Sequence, residues 1–154
     1  MNIFYLDNDQ EVCARWHCDK HVVKMILESA QMLCTAHWEN DGEAPYKSTH
    51  KNHPSSVWTR ASKSNYLWLC VLGKELCKEY THRYEKIHKT ESVIDWLSEN
   101  IPNISEDEFV EPPKAMGDYK RAEMTVIENY KFYYKEAKKE FLNYKKRDIP
   151  GWIV

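Results

Sequence analysis

The sequence predicts an all-α domain, and three observations predict it. Residues 17–37, "HCDKHVVKMILESAQMLCTAH", repeat polar side chains at helical intervals inside an otherwise apolar stretch. Residues 57–80 set Val57, Trp58, Ala61, Tyr66, Leu67, Leu69, Cys70, Leu72, Leu76, Cys77 and Tyr80 at helical spacing. Only residues 2–6, "NIFYL", read as extended, either a lone strand or a segment packed on the core.

The elements follow in chain order. Asp7 to Asp9 offer N-cap chemistry for a short helix over 9–17, which either kinks at Cys18-Asp19 or continues into the next. Asn, Asp, Gly and two prolines mark a loop from Glu39 to Pro54. Ser55 and Ser56 are expected to cap one long helix reaching about Arg83. Thr90-Glu91-Ser92 resembles a capping signal for a short helix ending near Asn100. An acidic, proline-containing connection covers about 101–117, and a last helix rich in Tyr and Lys is expected from Gly117 or Asp118 to about Lys146. No internal repeat is visible.

Composition bounds the function. At 154 residues and 42% hydrophobic content, the chain fits a single domain, 1–154, with its own core. No stretch approaches the roughly 18 uninterrupted apolar residues of a membrane span. "MNIFYLD" lacks the basic start of a signal peptide. A soluble, cytoplasmic protein without a membrane partner is expected. Cys13, Cys18, Cys34, Cys70 and Cys77 are odd in number and form no CxxC pair, as suits reduced, buried thiols. The formal charge of −2 gives no overall basic footprint. Residues 91–113, however, hold seven acids and no Lys or Arg, and residues 114–154 hold ten basic residues against six acidic, so a basic face is compatible with the total.

Within residues 17–37, His17, His21, Lys24, Glu28, Gln31 and Thr35 recur at steps of 4, 3, 4, 3 and 4, a single narrow stripe. Apolar residues cover the rest of the circumference, and such a helix is buried. Buried charges are costly unless paired, so the stripe must meet partners or line a cleft. Lys24 with Glu28 reads either as a surface ion pair or as an amine and carboxylate set for acid, base or nucleophilic work. Cys13, His17 and His21, with His50 and His53, offer nitrogen and sulfur at metal-ligand spacing, and equally read as loop-capping or hydrogen-bonding histidines. "HKNHPSSVWTR" sets His, Asn and Ser before a helix start with Arg60 one turn inside, suited to an anion or to ordinary capping. "NYKFYYKEAKKEF" interleaves aromatic rings with lysines, either to stack bases or to form a core face opposite a solvated one.

"DKHVVKMILESAQML", with Asp19, Lys20, Lys24, Glu28 and Gln31, followed by "NHPSSVWTRASKSNYLWLC", resembles the bacterial and phage pyrimidine-dimer DNA glycosylase family. Members of that family carry a similar "K…K…VEALQIL" helix, an "HPAVxMW" segment and a tyrosine-bearing helix. "PPKAMGDY" is similar to the proline and Gly-Asp-Tyr segment of the phage enzyme of this type. The likeness touches about half the chain, in pieces, and extends to phage proteins that begin "MNIF" and share "HCDKHVVKM".

The resemblance implies a helical fold acting on double-stranded DNA that contains a damaged base, as a monomer, with no cofactor and no metal. The implied reaction excises a damaged pyrimidine and then cleaves the strand. An amine attacks the sugar C1′ to form an imine, and a glutamate on an early helix stabilises the cationic sugar and assists proton transfer. That carboxylate carries over to Glu28. Gln31 follows one turn along, His53 becomes a substrate contact at the head of the next helix, and His21 and Lys20 join the substrate-binding set. Arg60 is expected at a phosphate on chemical grounds. In the family the nucleophile is the α-amine of a processed N-terminus, whereas Asn2 is too large for the usual aminopeptidase. Met1 is therefore expected to stay, and either its α-amine or the Lys24 amine supplies the nitrogen. Two other classes compete: a non-catalytic nucleic-acid-binding module using the last helix, and a metal-dependent hydrolase using Cys13, His17, His21, His50 and His53.

Overall fold

In a computed structural model that describes residues 1–153, six helices build the chain: α1 (Gln10–Trp16), α2 (Asp19–Trp38), α3 (Pro54–Thr59), α4 (Lys63–Tyr84), α5 (Glu91–Glu99) and α6 (Val126–Ala137). Single 3-10 turns at Gly117–Tyr119, Lys139–Phe141 and Gly151–Ile153 complete the regular structure, and the described residues contain no strand. The chain is all-α. None of the described helices is long and apolar enough to cross a membrane.

The long helices α2 and α4 pack on each other, α1 lies against α4, and α3 and α5 fill the flanks. Ile26, Leu33, Leu69, Leu72, Leu76 and Leu97 are buried between them. At Gly73 of α4, an added Cβ would meet the Ile94 side chain at 3.0 Å, so the glycine admits α5. Residues 3–6 carry no regular secondary structure, the Leu6 N–H turning back to the Phe4 carbonyl at 3.0 Å, and are buried one after another without the alternation of a half-buried strand. Phe4 stacks on His21 at 4.1 Å and meets the edges of Tyr130 and Tyr134 of α6 at 6.2 and 5.4 Å. The N-terminal segment is thus wedged between α2 and α6.

The choice left open at Cys18-Asp19 falls to the kink, and three expectations are corrected. The chain breaks between α1 and α2, because His17 is extended (ψ 133°) and its ring Nδ1 bonds the Cys13 carbonyl at 2.7 Å. His17 therefore leaves the face it was assigned. The expected long helix from Ser55 to Arg83 is two helices. Its first part is capped by His53 rather than by serine, with Pro54 at its first position. Its second part starts at Ser62, extended at φ −157°, whose hydroxyl accepts the Asn65 N–H at 3.1 Å. The Asn65 amide in turn donates to the Trp58 carbonyl at 2.9 Å, which satisfies the broken end of α3. The expected last helix shrinks to 12 residues. Thr125 and Glu128 form a reciprocal capping box that sets its start. Beyond Lys138 the chain leaves the helix, and Tyr144 donates its hydroxyl hydrogen to the Trp16 carbonyl at 2.7 Å.

A buried ion network holds that tail. Arg83, 0% exposed, reaches Asp19 at 3.0 Å, Glu79 at 3.4 Å and the Arg15 carbonyl at 2.9 Å. Glu79 also receives Arg147 at 2.7 Å, and Asp19 accepts the Lys145 N–H at 2.9 Å.

Candidate functional site

The polar face of α2 is roofed along most of its length rather than open as a cleft. Its members fall into three environments. His21, at the N-terminal end, is buried under Phe4, and its Nδ1 meets the Tyr134 hydroxyl at 2.6 Å. Burial pushes the ring down to about 3, helped by the charges of Lys138, Lys24 and Lys20. His21 therefore serves the packing of α6 and is closed to a substrate. At the other end, the Thr35 hydroxyl lies 2.8 Å from the Gln31 carbonyl and 3.2 Å from the Thr49 carbonyl, and it accepts the Thr49 N–H at 3.1 Å. This double contact pins the loop that carries His50 and His53 over α2. Gln31 is half-buried beside it.

The middle of the stripe is the chemically distinctive part. Glu28, its side chain 10% exposed, holds the Met1 amine nitrogen 3.4 Å from Oε1 and the Lys24 amine 3.7 Å from Oε2. The Asn2 N–H donates to the same Oε1 at 3.1 Å. One carboxylate at the middle of α2 thus faces two amines, one on a side chain 61% exposed and one on a residue whose side chain is packed into the protein. Charge-assisted hydrogen bonds normally run about 2.7–2.9 Å. Both contacts are longer, so neither nitrogen is held to the carboxylate by a short charge-assisted bond.

Asn2 is what places the first residue there. Its side-chain amide donates to the Ala115 carbonyl at 2.9 Å, while its Oδ1 lies 3.0 Å from the Tyr130 hydroxyl and accepts the Ile3 N–H at 2.8 Å. Tyr130 also reaches the Pro113 carbonyl at 2.7 Å and accepts the Ala115 N–H at 3.1 Å. The "PPKAM" segment is itself tied by Lys114, which donates to the carbonyls of Arg121 and Met124 at 2.7 and 2.6 Å. Residues far apart in sequence therefore hold the chain start against Glu28.

His53 stands beside this group, where its titration feels the Met1 amine, His50 and Glu28. Burial comes first among the causes that push it below the ordinary histidine range, followed by the Met1 amine and then His50, and Glu28 opposes them. Arg60 is committed within the protein, donating to the Lys51 carbonyl at 2.6 Å and the Ser56 hydroxyl at 3.3 Å. That holds the 50–53 loop and leaves less of the guanidinium for a phosphate. Lys20 is exposed and lies 3.9 Å over the Phe141 ring.

The other constellations do not assemble. Cys13 donates to the Phe4 carbonyl at 3.2 Å, His17 bonds backbone, and His21 bonds Tyr134. No group of three or more His, Cys, Asp or Glu suited to a metal ion occurs among the described residues. On α6, Tyr130 and Tyr134 are buried, Lys138 covers Tyr133 at 5.0 Å, and Lys131 lies 4.6 Å from Trp16. Tyr130, Tyr133 and Tyr134 belong to the core face, and Lys138 and Lys131 lie over aromatic rings rather than in open solvent. A polar cleft of about 300 Å³ lies between α1 and α4, but its charges pair with one another, as in Arg15 with Glu11 at 2.7 Å and Lys78 with Glu75 at 3.0 Å.

The sequence finds Glu28, Lys24 and Met1 and misses the Asn2 clamp, for which the only signals are the "PPKAM" segment and Tyr130. No family model matches the chain, and neither the curated proteins nor the solved structures include a match.

Proposed function

We propose that this protein is a DNA glycosylase and abasic-site lyase acting on a damaged pyrimidine in double-stranded DNA through an amine-derived imine. The observation that carries the reading is the convergence of the Met1 nitrogen and the Lys24 nitrogen on the buried carboxylate of Glu28. An amine attacks only when neutral, so a nearby carboxylate that takes up its proton is the group this chemistry requires. The attacking nitrogen forms a bond to C1′ of the damaged nucleotide, the bond from C1′ to the base breaks, and the base leaves with a proton. Opening of the sugar ring gives an imine between nitrogen and C1′. Removal of a C2′ proton then expels the 3′ phosphate and cuts the strand. Glu28 supports the positive charge that develops on the sugar and carries protons between steps.

Met1 is the preferred nucleophile. Its nitrogen is fixed through Asn2, whereas the Lys24 side chain is mostly in solvent. Exposed Lys24, Lys20 and Lys51 suit the phosphates on either side of the lesion. The site has to receive an extruded nucleotide, since the C1′ of a stacked base pair is out of reach.

Incubation with a duplex carrying one cyclobutane thymine dimer, and separately one abasic site, tests the reading. With the wild-type chain, glycosidic-bond cleavage at the dimer, whose freed pyrimidine stays joined to its neighbour through the cyclobutane ring, and strand cleavage on both duplexes are expected, and neither with Glu28→Gln. Equal turnover by the variant contradicts the role of Glu28. Salt-dependent binding without product makes the protein a binding module.

A further inference from the structure

We propose that His53 acts as a neutral hydrogen-bond donor, with Nδ1 spent on capping α3 and the Nε2 proton offered to a carbonyl oxygen of the departing pyrimidine. The proposal rests on the function above for its substrate and on helix capping for its chemistry.

His53 sits at the N-cap of α3 with extended geometry (φ −65°, ψ 137°), and its Nδ1 accepts the Ser55 N–H at 3.0 Å. Pro54, next in the chain, has no N–H, so the Ser55 N–H is the first donor of the helix that needs a partner. A ring nitrogen that accepts a hydrogen bond carries no proton, so the neutral ring holds its proton on Nε2. Protonating Nδ1 would set two N–H groups against each other and uncap α3. Burial and the nearby Met1 amine act in the same direction, against the pull of Glu28.

Nε2 has no hydrogen-bond partner among the described residues. It is also absent from the sealed, unpartnered polar atoms, which are His17 Nε2, Ser55 Oγ and Trp152 Nε1. The donor is thus reachable from outside. A neutral donor is poorly matched to phosphate, for which exposed lysines are at hand. It suits a carbonyl oxygen that gains negative charge as the base leaves. His53 does not serve as the base, and that role stays with Glu28.

The test uses His53→Ser, which keeps a neutral N-cap but is too short to reach the base, and His53→Asn, which caps and retains an N–H donor. Long-range proton–nitrogen NMR on the wild-type protein should show a neutral ring protonated at Nε2 at pH 7.5. His53→Ser should slow glycosidic-bond cleavage in the dimer duplex at least tenfold and leave imine formation on an abasic site, which has no base to expel, unchanged. His53→Asn should restore most of the lost rate. A ring protonated at Nδ1, a ring titrating in the ordinary histidine range, or equal losses on both substrates overturns the proposal. A wild-type protein that forms no imine on either substrate removes the reaction, and with it this substrate contact. The NMR result judges the donor assignment separately.

Discussion

Glu28 and Glu79 are both carboxylates buried next to two cations, and their surroundings make them different objects. Glu79 meets the planar forks of Arg83 and Arg147, at 3.4 and 2.7 Å, and Arg83 spends its remaining donors on Asp19 and the Arg15 carbonyl. Each group there has its partner, and the whole ties the tail to α2 and α4. Glu28 meets two amines at 3.4 and 3.7 Å and, among the described residues, one backbone N–H at hydrogen-bond distance. An amine loses its proton far more readily than a guanidinium, which stays charged. Burial of charge alone does not mark a site. What separates the two is the kind of cation and the slack in the contacts.

The contrast is broken most severely by Glu28→Gln, which keeps an acceptor for the Asn2 N–H but removes the charge. Imine formation is expected to fall by about 10²–10⁴, the range of general acid–base contributions. Urea unfolding should lose only about 1–2 kcal/mol. The mirror experiment is Arg83→Ala, which takes the guanidinium from half-buried Asp19 and leaves buried Glu79 with Arg147 alone. It should cost about 3–5 kcal/mol of stability, with the imine rate per folded molecule unchanged. An Arg83 variant that is fully stable would show the network to be ornamental.

Acid sharpens the comparison from the histidine side. Burial pushes His17 down to about 4 and His21 to about 3. Both are neutral when folded, while the unfolded chain takes up protons below an ordinary histidine pKa of about 6.5. The stability they contribute is therefore full above that value and declines as the pH falls through it. From pH 7 to pH 5 the expected loss is about 2 kcal/mol for each ring. Urea midpoints across that window measure it, and a flat profile contradicts the neutral assignment. The smallest effect belongs to Thr125→Ala, where loss of the capping box of α6 should cost about 1 kcal/mol, again by urea unfolding. The N-terminal clamp depends on α6 only through Tyr130, so imine chemistry should persist.

The helical class and the α2 stripe are legible in the sequence because periodicity is local. The break between α3 and α4 is not, since the apolar spacing runs straight through it and only Ser62 with Asn65 announces the new cap. The start of α6 is signalled by Thr125 and Glu128, yet the run of Tyr and Lys extends the apparent helix on both sides. His53 as a cap is hidden because imidazole is an uncommon capping group, although Pro54 at the first helical position points to it. Glu79 and Arg83 look like an ordinary surface pair one turn apart, and nothing local shows that Asp19 and Arg147 will enclose them. Glu28 is found from its place in a polar stripe. Its amine partner from Met1 depends on contacts of Asn2 with Ala115 and Tyr130, which no pattern within one helix reveals.

Borohydride trapping tests the central claim most directly. The protein is mixed with a duplex bearing a single cyclobutane thymine dimer or a single abasic site, reduced, digested and mapped by mass spectrometry. A covalent adduct on the Met1 nitrogen, absent in Glu28→Gln, is the predicted result. An adduct on Lys24 would keep the imine and move the nucleophile to the other amine on Glu28. No adduct on either substrate would contradict the account.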